Sequence, residues 1–96
     1  MRADYDSKAN AISIALLPEE EAERADQVHP RAIVALHEER PIELQLLYPD
    51  LGTDEPLSAA ARAYGLDEEA LVAAVQAALA APDRSITLEV AVRSAA

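Results

Sequence analysis

The amino-acid sequence predicts an α+β fold, and three features carry that expectation. The first half alternates apolar and polar residues with a period of two, the rhythm of half-buried strands. From Tyr48 onward Pro, Gly and Asp interrupt the alternation, and apolar residues then recur at helical spacing. Close to the last residues, Ile86, Leu88, Val90 and Val92 restore the period of two. The expected architecture is a single α+β domain over residues 1–96: an N-terminal antiparallel β-meander over 1–47, a helical hairpin over 54–81 and a C-terminal return strand over 85–92. A second independent core would leave each half below the size that usually folds without staples.

Each element has its own signal. Ile12, Ile14 and Leu16 alternate with Ala11, Ser13 and Ala15, which predicts a strand from Ala11 to Leu17. The turn formers of Tyr5-Asp6-Ser7-Lys8-Ala9-Asn10 precede it, so Arg2 to Tyr5 is expected to pair with it as a hairpin. Pro18 to Arg24 is polar and acidic and reads as an exposed loop, with a short strand at Ala25 to Val28 beyond it. Ala32 to Leu36 and Pro41 to Leu47 are two further strands, joined by the polar connection His37-Glu38-Glu39-Arg40. Ile42, Leu44 and Leu46 share one face of the second run, and Glu43 and Gln45 the other, so one face meets a core and one meets water. Asp54 or Glu55 is placed to cap a short helix running through Pro56 to Tyr64, which Gly65 ends in the left-handed conformation. Asp67 caps a second helix whose Leu71, Val75, Ala78 and Leu79 lie on one stripe, and Pro82-Asp83 ends it.

Composition narrows the functional classes. Cysteine is absent, which removes disulfide frameworks, zinc ribbons and thiol nucleophiles. The formal charge of −10 has the wrong sign for a phosphate backbone or an anionic bilayer, so neither nucleic acid nor membrane is an expected partner. The opening residues Met1 to Asp6 lack the basic flank and apolar stretch of a secretory signal, and the expected compartment is the cytoplasm. Phe and Trp are absent, so the core must be aliphatic and rich in alanine, and such a monomer is marginal.

Tyr5-Asp6-x-x-Ala9-Asn10-Ala11-Ile12-x-Ile14-x-Leu16 resembles the opening motif of the small bacterial family called domain of unknown function 2283. The order of an acidic loop, Ala32 to Leu36, and Leu44-Gln45-Leu46-Leu47 continues the likeness over roughly the first half of the chain. The resemblance implies a fold rather than an activity, because that family has no assigned function. Its members usually carry acids and a Gly at the turn between the last two strands, where this chain has Ala35, His37 and Arg40-Pro41, and Gln45 stands in place of a Glu.

Chemistry-bearing residues are few. His29, His37, Glu38 and Glu39 are the candidate metal ligands, since imidazole and carboxylate suit zinc, iron or manganese. No cofactor is expected, because Gly52 and Gly65 form no phosphate-binding loop and none of Ser7, Ser13, Ser58, Ser85 and Ser94 sits in a nucleophile elbow. Ala61 and Gly65 followed by Leu71 match helix-turn-helix spacing, but Asp67, Glu68 and Glu69 at the start of the second helix would be repelled by phosphate. The second helix is apolar nearly all round, which implies more than one covering surface. The leading expectation is therefore a non-enzymatic binding or assembly protein acting as a homodimer, with Val72, Val75, Leu79, Ile86, Leu88 and Val90 as interface candidates. Two other classes stand beside it: an acidic antitoxin or immunity-type protein occupying a basic partner, and a small metal-dependent enzyme using His29 and His37.

Overall fold

A computed structural model describes residues 1–17 and 20–88. Strands β1 (Arg2–Asp6), β2 (Ala11–Ala15), β3 (Arg24–His29), β4 (Ala32–His37) and β5 (Arg40–Leu47) come first. A single 3-10 turn at Pro49–Leu51 leads to helices α1 (Asp54–Tyr64) and α2 (Glu68–Ala80), and strand β6 (Ser85–Thr87) closes the order. The strands form one six-stranded sheet in the order β3-β4-β5-β2-β1-β6, antiparallel at every pairing. The α+β class and the meander are as the periodicity predicts.

Cross-strand partners share a face of a sheet, so the register sorts the side chains. One row runs Asp26, Val34, Leu44, Ile14, Ala3, Ile86, and the next runs His29, Ala32, Leu46, Ile12, Tyr5. Both rows lie on the face that the helices cover: α1 packs on β3, β4 and β5, and α2 on β1, β2 and β6. The core between the layers is wholly apolar, with Ile12, Ile14, Val34, Leu36, Leu44 and Leu46 from the sheet meeting Leu57, Leu71 and Val75 from the helices. Each such side chain contributes roughly 1.5–3 kcal/mol relative to exposure. Ala60, Ala61, Ala74 and Ala78 occupy the remaining helix positions and let the helix backbones approach the sheet closely.

Three boundaries move from the sequence reading for identifiable reasons. Strand β2 stops at Ala15, because the amides of Leu16 and Leu17 both donate to the Ile42 carbonyl, at 2.8 and 3.0 Å, and break the ladder there. Helix α1 starts earlier than expected, with Thr53 as its flanking residue and Asp54 and Glu55 inside its first turn, where their charge suits the dipole; Pro56 is tolerated there because amides of the first turn have no intrahelical partner. The expected return strand 85–92 is described only as β6 at Ser85–Thr87, and Val90 lies outside the described residues. Leu88 nonetheless continues the pairing: its amide donates to the Met1 carbonyl at 2.8 Å, and the amino terminus donates back at 3.3 Å. Gly65 and Asp67 play the expected parts, Gly65 at φ 63° ending α1 and the Asp67 carboxylate accepting from the Ala70 amide at 3.2 Å.

The β4–β5 connection is tighter than four loose residues. His37 pairs with Arg40, so Glu38 and Glu39 alone make the turn, at φ 50° and 63°. Two consecutive left-handed residues are the geometry of a two-residue hairpin turn, which Asn and Gly adopt far more readily than Glu. Arg24 from β3 donates to Glu39 through Nε and Nη2, at 3.0 and 2.6 Å, and holds the Glu39 carboxyl below its ordinary range. The Glu38 side chain makes only a 3.8 Å ion pair with the half-exposed Arg40, which contributes little. Replacing Glu38 with Asn should therefore raise stability by about 0.5–1 kcal/mol, read as a higher urea midpoint at unchanged slope. A lower midpoint would mean that the Glu38 side chain holds the turn in a way that its contacts do not explain.

Candidate functional site

The metal candidates separate in space. His29 closes the β3 end of one hairpin and His37 the β4 end of the next, about 17 Å apart at the usual rise of a strand. They also lie on opposite faces, His29 beneath the helices beside Ala32, and His37 on the uncovered side with Ile33 and Ala35. His29 accepts the Arg31 amide at 3.0 Å through Nδ1, with Glu55 4.0 Å from its other nitrogen. His37 meets the Glu21 carbonyl at 2.8 Å, Glu20 at 3.2 Å and Glu23 at 3.7 Å, so it ties the β2–β3 loop to the hairpin end. Glu39 is engaged by Arg24, and Glu38 points along the rim beside Arg40. Among the described residues no group of three or more His, Asp or Glu is placed to hold a metal ion.

The carboxylates with a defined environment serve the fold. Asp83 accepts the Ser7 amide at 2.9 Å and the Ser7 hydroxyl at 3.0 and 2.8 Å, which tethers the α2–β6 turn to the β1–β2 turn. The amide first and the hydroxyl second hold the Asp83 carboxyl below its ordinary range. Tyr64 donates to Asp26 and its phenol is pushed up by that bond, pinning the last turn of α1 to the edge strand β3. The Tyr-Asp motif of the N-terminal half is turn chemistry as well. Asp6 accepts the amides of Lys8 and Ala9 at 3.0 and 3.1 Å, while Asn10, at φ 52°, accepts from the Tyr5 hydroxyl at 3.1 Å and donates to Asp50 at 2.7 Å.

The interface candidates on the helices are largely taken up by the core. Val75 is 1% exposed within the chain and has no area left for a partner, and Val72 and Leu88 pack against the core from its margin. Ile86 pairs with the buried Ala3 and so lies on the covered face. Leu79 alone of the stripe is open, at 38%. α2 is covered by the sheet and, along one side, by α1, while Ala73, Gln76, Leu79 and Ala80 line its outer side.

The feature that sequence reasoning missed is the other face of the sheet. Its rows run Gln27, Ile33, Gln45, Ser13, Asp4, Ser85 and Ala25, Ala35, Glu43, Ala15, Arg2, Thr87. No described helix packs on it. Ala11, Ser13 and Ala15 make β2 the floor of a shallow trough, with Glu43, Gln45 and Leu47 of β5 along one wall and Arg2, Asp4 and Asp6 of β1 along the other. Ser13, Ala15, Ile33, Ala35 and Leu47 are half-buried and Ala11 is buried, because neighbouring side chains already shield them in part. An open depression of about 230 Å³ at one end is lined by Met1, Arg2, Ala15 and Thr87. The signal was present in β4, whose Ala32-Ile33-Val34-Ala35-Leu36 is apolar without alternation, the pattern of a strand covered on both faces.

Comparison with protein-family models, with curated proteins and with solved structures finds no match to this chain. The likeness of the N-terminal half to domain of unknown function 2283 accordingly rests on the quoted residues alone. No described helix is long and apolar enough to cross a membrane.

The Asp83 tether has a pH signature. A carboxyl lowered in the folded state stabilises fully above its unfolded value, and that stability is lost as pH falls through the lowered one; Glu39 acts in the same direction. Ser7→Ala should move the Asp83 titration upward in a carbon-detected carboxyl NMR experiment. It should stop short of the ordinary aspartate range, because the amide, the larger cause, remains. An unshifted titration in the variant would remove the hydroxyl from this account.

Proposed function

We propose that the chain is a small, cytoplasmic, non-enzymatic assembly protein that works as a homodimer through the open face of its sheet. The observation that carries the reading is β4, whose Ile33 and Ala35 face away from the helices on a strand apolar on both sides. A strand facing water on one side normally alternates, and β5 beside it does so, with Glu43 and Gln45 outward. The composition supports the same direction, since an aliphatic core without Phe or Trp benefits from further burial by association.

The competing enzymatic reading needs groups that converge. His29 and His37 lie at different hairpin ends on opposite faces, and among the described residues no polar or charged side chain is buried where its protonation would be reshaped for acid–base work. The reading as an acidic antagonist draws on the charge of −10 and makes a basic protein the partner.

Sedimentation velocity from about 1 to 200 µM in physiological salt should show a shift from the 10.3 kDa chain to twice that mass, with a melting temperature that rises with concentration. A 10.3 kDa species throughout, with a concentration-independent melt, would contradict self-assembly. Stoichiometric zinc, iron or manganese in protein purified without a tag would instead favour the metal-dependent reading.

A further inference from the structure

We infer that the dimer forms by face-to-face packing of the two open sheet faces about a two-fold axis that lies over β2 and runs parallel to it, with Arg2 of each copy paired to Glu43 of the other. The inference rests on the assembly reading above and deepens it by naming the surface, the axis and the contacts that set the register.

The argument begins with symmetry. A rotation about an axis over β2 sets β2 opposite β2 of the other copy, β5 opposite its β1, and β4 opposite its β6, because these pairs flank β2 at equal steps in the sheet order. Position along the strands is kept. Every residue of an open-face row therefore meets the residue at the mirrored place in the same row of the other copy. In the row Glu43, Ala15, Arg2, both Glu43 and Arg2 are register partners of Ala15, so Glu43 meets Arg2 twice in the dimer. In the row Gln45, Ser13, Asp4, the Gln45 amide meets the Asp4 carboxylate, a donor against an acceptor. Ala35 and Ile33 meet Thr87 and Ser85, both small enough to pack against. In the row Leu47, Ala11, Asp6 the apolar Leu47 meets Asp6, a mismatch at one end; the other two rows carry their own complement, as an isologous interface requires.

Shape agrees with charge. The strand on the axis presents Ala11, Ser13 and Ala15, so nothing long stands between the two sheets where they must come closest. The space that these small side chains leave is where the long ones go: the depression beside Ala15, lined by Met1, Arg2 and Thr87, takes the partner's carboxylate. Arg2 and Glu43 are both exposed, and neither makes an ion pair among the described residues. The sheet edge at β3 is a poorer rival, because Arg24, Asp26 and the irregularity between Gln27 and His29 are the devices that block strand addition.

Size bears on the strength. Five strands about 4.8 Å apart and about five residues long give a footprint of roughly 400 Å² on each copy. The two copies together cover about 800 Å², below the roughly 1,000 Å² of a stable interface, so the dimer is a weak, transient one, with the ion pairs setting register rather than supplying most of the affinity.

Charge reversal tests the register at constant ionic strength by sedimentation equilibrium. Arg2→Glu and Glu43→Arg should each weaken the dimer about tenfold or more, and the double variant should return to within about threefold of the original protein. Glu43→Arg is the decisive arm. It lowers the net negative charge, so general repulsion between two acidic chains predicts tighter association, whereas the pairing predicts weaker. Lys8→Glu changes the charge as Arg2→Glu does but lies on the exposed β1–β2 turn, and it should leave the association unchanged. Thermal melts followed by circular dichroism confirm that each variant is folded. A dimer insensitive to both single reversals, or tightened by Glu43→Arg, would overturn the proposed face and leave the assembly reading standing. A monomer in the original protein at every concentration would overturn both.

Discussion

Everything in this molecule follows from covering one side of a six-stranded sheet with two alanine-rich helices. The helices are short, at 11 and 13 residues, and each reaches three strands, so together they span the width of the sheet with none to spare for the other side. Ile12, Ile14, Leu44 and Leu46 sit at the centre of the covered face, and Leu71, Val75 and Leu57 close over them. The absence of aromatic side chains from this core makes the two layers lie close together, since alanine sets the helix-to-sheet distance at four positions. One layer of helices on one layer of sheet is the minimum that buries a core at this chain length. Among the described residues it also leaves an entire sheet face without a covering helix.

The composition of that face is mixed in an informative way. β5 and β1 present charges and amides outward, as a solvated face would, while β4 and β2 present Ile33, Ala35, Ala11, Ser13 and Ala15. Polar walls around a small-residue floor set this face apart from one that is polar throughout or apolar throughout. The tight turns around the sheet fix the strand register on which both faces depend. Glu38-Glu39 and Asn10 hold left-handed conformations at two hairpin ends, and Arg24, Asp50 and Tyr5 hold these turns in place from neighbouring segments. A slip by one residue would move the whole core set of a strand to the open side.

The strands and both helices were legible because each carries its own period, and the caps were legible at Gly65 and Asp67 because those residue types answer a backbone need at that point. What the periodicity left open was pairing. Nothing in Ser85-Ile86-Thr87 says that it lies beside β1, and so nothing in the sequence said that Ile86 would face the core. Helical spacing puts Leu71, Val75, Ala78 and Leu79 on one stripe, but the helix turns so that Ala74 is inside and Leu79 is partly out, a choice made by the sheet it packs on and not by its own hydrophobicity. The histidines read as a pair in sequence only because register, which separates them, is a tertiary property. The open face is a product of register too, although the unbroken apolar run of β4 was a local sign of it.

The most direct test of a sheet face that is covered by association is methyl NMR on Ile- and Leu-labelled protein across a dilution series. Ile33 and Leu47 should shift or broaden with increasing concentration, while Ile12, Ile14 and Leu71, sealed beneath the helices, should hold their positions. Concentration-dependent shifts confined to Leu51 and Leu79, on the helical side and its approach, with Ile33 and Leu47 unmoved, would contradict it.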